Sequence, residues 1–186
     1  MSDASRKPLT TERIGTEDLL VRVPAIAPDP VDTVIVLKTD GPVKGRLGRL
    51  LQAQSVPNRL LGFDAIATGK GFVYGDGKTA RYYVDGLEKA GNLLTWNVRT
   101  DRAQRFSVEL KYSTPKPTWT TASKFVVMIG KTRLTAPIEA TPSAREMRTV
   151  RMGEINIEPG KLQDMTVTVE GGGDPVHFFE IDLKAL

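Results

Sequence analysis

The chain is predicted to be all-β, an antiparallel jelly-roll-like β-sandwich with a short appended two-strand segment. Three observations carry this. Short runs rich in β-branched and aromatic residues recur along most of the 186 residues. Glycine and proline punctuate them at close intervals, and no stretch shows the 3.6-residue apolar period of a strong amphipathic helix. A chain of this length buries a core without metal or disulfide support, and with no cysteine it has neither disulfides nor thiolate zinc sites.

Residues 1–18 lack apolar periodicity and read as a flexible tail. Leu19–Val23 and Thr33–Leu37 then read as a strand pair, within a segment bounded at 19–45. The prolines of Pro24-Ala25-Ile26-Ala27-Pro28-Asp29-Pro30 forbid a helix between them, and Thr39-Asp40-Gly41-Pro42 has turn chemistry. Residues 46–186 form the expected sandwich module. Its start is ambiguous, because Leu47, Leu50, Leu51 and Val56 suit a helical turn or a strand, with strand preferred.

From Pro57 onward the pattern is β. Phe72-Val73-Tyr74 and Arg81-Tyr82-Tyr83-Val84 flank Gly75-Asp76-Gly77 as a hairpin. Asn92–Val98 and Arg105–Tyr112 alternate apolar with polar and read as facing strands joined by the polar turn 99–104. Lys124–Ile129 turns at Gly130-Lys131 into Thr132–Leu134. Arg148–Met152, Gly153–Ile157, Met165–Glu170 and His177–Leu183 complete the series.

Charge narrows the function classes. The net charge is +4, but 26 basic residues are mixed among 22 acidic ones and form no block, which argues against a nucleic-acid partner. No apolar run approaches the length of a membrane span or a signal peptide, so no membrane partner is expected and localisation stays open. The glycines at 69–71 and 75–77 are not followed by a helix, as a phosphate loop requires. His177 is the sole histidine, which removes most histidine-based catalytic and metal schemes, and at a strand start it reads as a surface or edge residue.

Sugar-binding sandwiches hold the apolar face of a ring against an exposed aromatic. Trp119, in the proline-stiffened loop 113–121, is the first candidate for a carbohydrate-binding residue. Tyr74, Tyr82 and Tyr83 on the hairpin form a second group. Adjacent Tyr82 and Tyr83 point to opposite faces of a strand, so one of them is available to ligand. Trp96, in phase with Leu94 and Val98, belongs to the core.

Two stretches resemble a known family. Asp18–Leu37, with its order of strand, proline, small residues, Pro28-Asp29-Pro30 and apolar strand, is similar to the end of the small β-domain that follows the catalytic barrel in bacterial α-L-fucosidases. Leu94–Leu183, with Trp96 before Val98, Ser123-Lys124-Phe125-Val126-Val127 before Gly130, and Phe179-Glu180-Ile181-Asp182-Leu183 at its end, resembles the C-terminal jelly-roll module of those enzymes. The resemblance implies a glycoside hydrolase accessory domain without the catalytic barrel, from a family often periplasmic or extracellular. No catalytic residue carries over, since the barrel carboxylates have no counterpart here.

It also implies that 19–37 has lost strand partners that lie earlier in the parent, so that its edges seek a catalytic barrel or a homodimer partner. Modules of this type often hold a structural calcium. Asp182 matches the last-strand position, but Leu51-Gln52-Ala53-Gln54 offers amides where a carboxylate belongs, so no cofactor or metal is expected. The expected function is a non-catalytic, carbohydrate-binding accessory domain. The alternative is a purely structural module that packs on a catalytic barrel or a partner chain.

Overall fold

The computed structural model describes residues 7–14, 18–43, 45, 47–53, 57–79, 81–118 and 122–186. The chain divides into two compact units, Met1–Leu47 and Gly48–Leu186.

The first unit holds one two-stranded antiparallel sheet, β1 (Thr11–Ile14) with β2 (Asp18–Val21). Across it the Arg22 guanidinium donates to Glu12 Oε2 at 2.7 Å. The strand expected at 19–23 is therefore present, but its partner comes from the expected tail and not from Thr33–Leu37. Residues 33–37 carry no ladder among the described residues. Their β-branched composition gives the propensity for a strand, and propensity alone supplies no partner.

The second unit is a sandwich of two sheets. Its strands are β3 (Arg49–Leu50), β4 (Asn58–Leu61), β5 (Ile66–Thr68), β6 (Val73–Tyr74), β7 (Val84–Asp85), β8 (Leu93–Arg99), β9 (Gln104–Ser113), β10 (Lys124–Ile129), β11 (Thr132–Pro137), β12 (Arg148–Ile157), β13 (Gln163–Glu170) and β14 (His177–Ala185). One sheet runs β11-β10-β13-β8, with β3 and β5 sharing the far edge of β8. The other runs β12-β9-β14, with β7 and β4 sharing the far edge of β14 and β6 outermost beside β7. All pairings are antiparallel except β3 with β8.

Period-two alternation places Leu94, Trp96 and Val98 of β8 against Phe106, Val108, Leu110 and Tyr112 of β9 in one core, each 5% exposed or less. Each such burial contributes about 1.5–3 kcal/mol. Trp96 is a core residue, as its phase predicts. Its indole N–H reaches across the sandwich to the Leu61 carbonyl at 2.9 Å, so a side chain of one sheet bonds a strand of the other.

Two strand expectations need correction. Strands β8 and β9 lie in different sheets, so 99–104 crosses the sandwich instead of closing a hairpin. The runs 148–152 and 153–157 are one strand, bulged where Met152 is left over between the pairs Arg151↔Glu109 and Gly153↔Val108. Strands β4 and β5 are short, and their residues do not alternate polar with apolar, so the sequence carries no signal for them.

Strand β14 carries a second bulge at Phe179, between Phe178↔Tyr112 and Glu180↔Lys111. It resets the side-chain phase, so Phe178, Ile181 and Leu183 all face the core while Glu180 and Asp182 face out.

Candidate functional site

The hairpin β6–β7 extends past the core edge, and its tip is tied down locally. The Gly75 amide donates to the Tyr83 carbonyl at 2.9 Å, and the Arg81 amide to the Lys78 carbonyl at 2.8 Å. Asp76 accepts from the Lys78 amide at 3.1 Å and pairs with the Arg81 guanidinium at 3.1 Å. Gly77, at φ 76°, takes the left-handed conformation that lets the tip turn.

Opposite faces of this hairpin carry two aromatic groups. On one face Tyr74 and Tyr82 flank Phe63, with ring centroids at 5.5 Å (edge-on) and 4.3 Å (tilted) from it. Phe63 stands on the 3-10 turn Gly62–Asp64 and packs partly into the core. The turn lies close against the second sheet because residue 62 is glycine: a Cβ there would meet Val84 Cγ2 at 3.0 Å and Phe178 Cδ1 at 3.1 Å. Tyr74 and Tyr82 are 45% and 46% exposed, and together with Phe63 they form an open aromatic ledge.

On the other face Tyr83 is half-buried. It stacks on the His177 imidazole at 3.9 Å and meets Phe179 edge-on at 5.8 Å. His177 Nδ1 hydrogen-bonds the Asp85 carboxylate. The expectation of a surface histidine is thus corrected. His177 is 7% exposed, covered by a ring and tied to an acid 92 positions away in the chain, a tertiary partnership that no local pattern reveals. Tyr82 and Tyr83 do lie on opposite faces, and only Tyr82 offers its ring to solvent.

Trp119 lies outside the described residues. The base of its loop is nonetheless pinned. The Thr114 amide donates to Thr141 Oγ1 at 2.9 Å and the Thr141 amide donates to Thr114 Oγ1 at 2.8 Å, both buried. The Tyr112 hydroxyl both donates to the Glu139 carbonyl and accepts from the Glu139 amide, each at 3.0 Å, and burial raises its ionisation above the ordinary phenol range.

The outer face of the second sheet holds the carboxylates Glu180 and Asp182, one residue apart on β14. Glu180 is 3% exposed and closed off by the Arg59 guanidinium at 2.5 Å and the Lys111 ammonium. Asp182 sits 3.8 Å from Arg59, and its Oδ1 has no hydrogen-bond partner among the described residues. Burial first, and the Glu180 charge next, raise its carboxyl above the ordinary aspartate range. Both oxygens of Glu180 are thus engaged by cations. No group of three or more acid or histidine side chains suited to a metal occurs among the described residues.

Two shallow depressions mark the sandwich. Gly48, Arg49, Asp64, Ile66, Thr95 and Asn97 line one, and Ala140, Pro142, Glu146, Met147 and Arg148 line the other. Tyr74, Tyr82 and Tyr83 line neither of them.

No protein-family model matches the chain, and no curated protein matches it in sequence. Its fold does match solved structures. A GH26-CBM35 β-(1,4)-mannanase of Podospora anserina superposes with a TM-score of 0.55 over 72% of this chain and 28% of the enzyme, at 18% identity. An insecticidal crystal protein, Cry2Aa, matches with a TM-score of 0.58 over 73% of this chain and 22% of that one, at 12% identity. An exo-β-1,3-galactanase of Phanerochaete chrysosporium gives 0.53 over 69% and 29%, at 14% identity. The chain therefore spans less than a third of each of these proteins. At such identities the likeness establishes the fold, a β-sandwich of the kind found within glycoside hydrolase chains, and that fold also serves a toxin.

Proposed function

We propose that the sandwich is a non-catalytic, carbohydrate-binding accessory domain of a glycoside hydrolase, with Tyr74 and Tyr82 on Phe63 as its sugar-stacking ledge. The observation that carries this reading is the pair of half-exposed tyrosines held side by side by a ring anchored in the core. Their faces suit the apolar face of a sugar ring, and Asp76 and Arg81 at the same hairpin tip offer hydrogen-bond partners to its hydroxyls. The fold's occurrence within mannanase and galactanase chains supports the setting. Trp119 is a further contributor to sugar binding in this proposal. Tyr83 backs the hairpin through its stack on His177 and presents little ring to a ligand. An α-L-fucosidase parent is the finer form of the proposal, and it rests on the residue resemblances at 18–37 and 94–183 alone.

Affinity electrophoresis and calorimetry against soluble β-mannan, β-1,3-galactan, α-glucan and fucosylated glycans test the reading. Binding to at least one is expected, weakened by about 1–3 kcal/mol in Tyr82→Ala with no loss of fold. Absence of binding to all of them, or equal binding by the variant, would remove the ledge and favour a module whose ligand is protein.

A further inference from the structure

We propose that residues 33–37 are a self-complementary strand through which two copies of this chain pair antiparallel about a two-fold axis at Ile35. The proposal does not depend on the carbohydrate reading.

Val34, Ile35, Val36 and Leu37 are four consecutive large apolar side chains, 73%, 47%, 76% and 64% exposed. None of them has a ladder partner among the described residues. Leu19–Val21 pairs with Thr11–Ile14 and not with them. Pro30 and Pro42 bracket the segment, so no proline interrupts it, and β-branched residues fill its centre. Such a run, with its amide and carbonyl groups free to pair, is a template for another strand.

The occupant follows from charge. In an antiparallel pair centred on Ile35, Ile35 faces Ile35, Val34 faces Val36, and Thr33 faces Leu37. The next pair outward sets Asp32 of each copy opposite Lys38 of the other, twice by symmetry. A parallel pair would instead set Asp32 against Asp32 and Lys38 against Lys38, which is repulsive at both ends. The antiparallel arrangement is thus favoured by its own flanking charges, and the partner that satisfies both is a second copy.

The turn before the segment prepares it. The Asp29 carboxylate accepts the amides of Val31 at 2.8 Å and Asp32 at 3.2 Å, and the Thr33 hydroxyl donates to the Asp29 carbonyl at 2.9 Å. These bonds occupy the amides just before the run, so an added ladder begins at Thr33 and ends before the turn at Thr39, whose hydroxyl donates to the Gly41 carbonyl at 2.8 Å. Five ladder residues framed by one pair of opposite charges at each end define a short, register-fixed contact.

Sedimentation equilibrium of the full chain, up to about 1 mM to cover weak association, tests this with charge reversal. The wild type is expected to dimerise reversibly. Asp32→Lys alone and Lys38→Asp alone each set like charges opposite one another twice, and each should weaken the dimer roughly 2- to 30-fold. The double reversal should restore wild-type association. Ile35→Pro, which removes the central amide, should leave a monomer whose sandwich melts as before. Hydrogen exchange at 33–37 should slow with protein concentration. A chain that stays monomeric throughout, a dimer indifferent to the reversals, or exchange at 33–37 that is slow and independent of concentration, as when the same chain covers the strand, would each overturn the proposal.

Discussion

Replacing Trp96 by alanine tests the central architectural claim, that one side chain ties the two sheets together. The indole is 5% exposed, packs at 5.9 Å from Phe178 on the opposite sheet, and donates to the Leu61 carbonyl at 2.9 Å. Truncation removes the ring from a close-packed core, at about 3–5 kcal/mol for an aromatic-to-alanine change. It also breaks a hydrogen bond whose net worth is about 1 kcal/mol. At about 2–4 °C per kcal/mol for a chain of this size, the melting midpoint should fall by roughly 8–24 °C. Trp96→Phe keeps most of the ring and loses the donor, so its cost should be about 1–2 kcal/mol. Urea and thermal unfolding followed by far-ultraviolet circular dichroism give both values. A Trp96→Ala protein within about 1 kcal/mol of wild type would refute the inter-sheet role. A Trp96→Phe protein as unstable as the alanine variant would show that the hydrogen bond, and not the packing, carries the effect.

Two further outcomes follow from the outer face and the ledge. Asp182→Asn should stabilise the fold at neutral pH, because burial and the Glu180 charge raise the Asp182 carboxyl in the folded state. The unfolded chain then ionises it first, so stability is lost as pH rises from the ordinary aspartate range through the folded value. Melts from pH 3 to pH 8 should show the variant's advantage at pH 7 and its disappearance below about pH 4, and an advantage independent of pH would contradict the cause assigned. Gly62→Ala should cost about 1–3 kcal/mol by forcing a methyl against Val84 and Phe178. It should also displace Phe63, so a variant that is destabilised yet binds glycan as wild type would separate Phe63 from the ledge.

How far the sequence carried depends on the reach of each interaction. Strand β13 was legible because one face of it is buried, which writes a two-residue period into the chain, and β10 and β14 because they are runs of β-branched and aromatic residues buried on both faces over most of their length. The β6–β7 hairpin was legible because Gly75-Asp76-Gly77 is a local signal. What failed was set by distant partners. A polar connection such as 99–104 reads alike whether it closes a hairpin or crosses a sandwich. Thr11–Ile14 has a single large apolar residue, so nothing in it announces a strand, whereas Thr33–Leu37 has the composition of one and no ladder. The tyrosine alternation could be read along the chain, but Phe63, which joins Tyr74 to Tyr82, could not. Its one local trace is a glycine directly before an aromatic in a short turn, and that acquires meaning only once Val84 and Phe178 are seen beneath it.

The two bulges flank the same central strand, β9, and act as phase locks. Sliding β14 by one residue against β9 would turn Glu180 and Asp182 inward and expose Ile181 and Leu183, so the misregistered sheet fails by burying charge. On the opposite side Gly153, at φ 137° and with Leu134 Cδ2 3.1 Å from where its Cβ would lie, admits almost no other residue. A one-residue deletion at Phe179 or Met152 should therefore be worse tolerated than most substitutions at either position, because it cancels the offset that keeps everything beyond it facing the correct way. In this sandwich the irregular residues, more than the regular ones, hold the alignment of inside with outside.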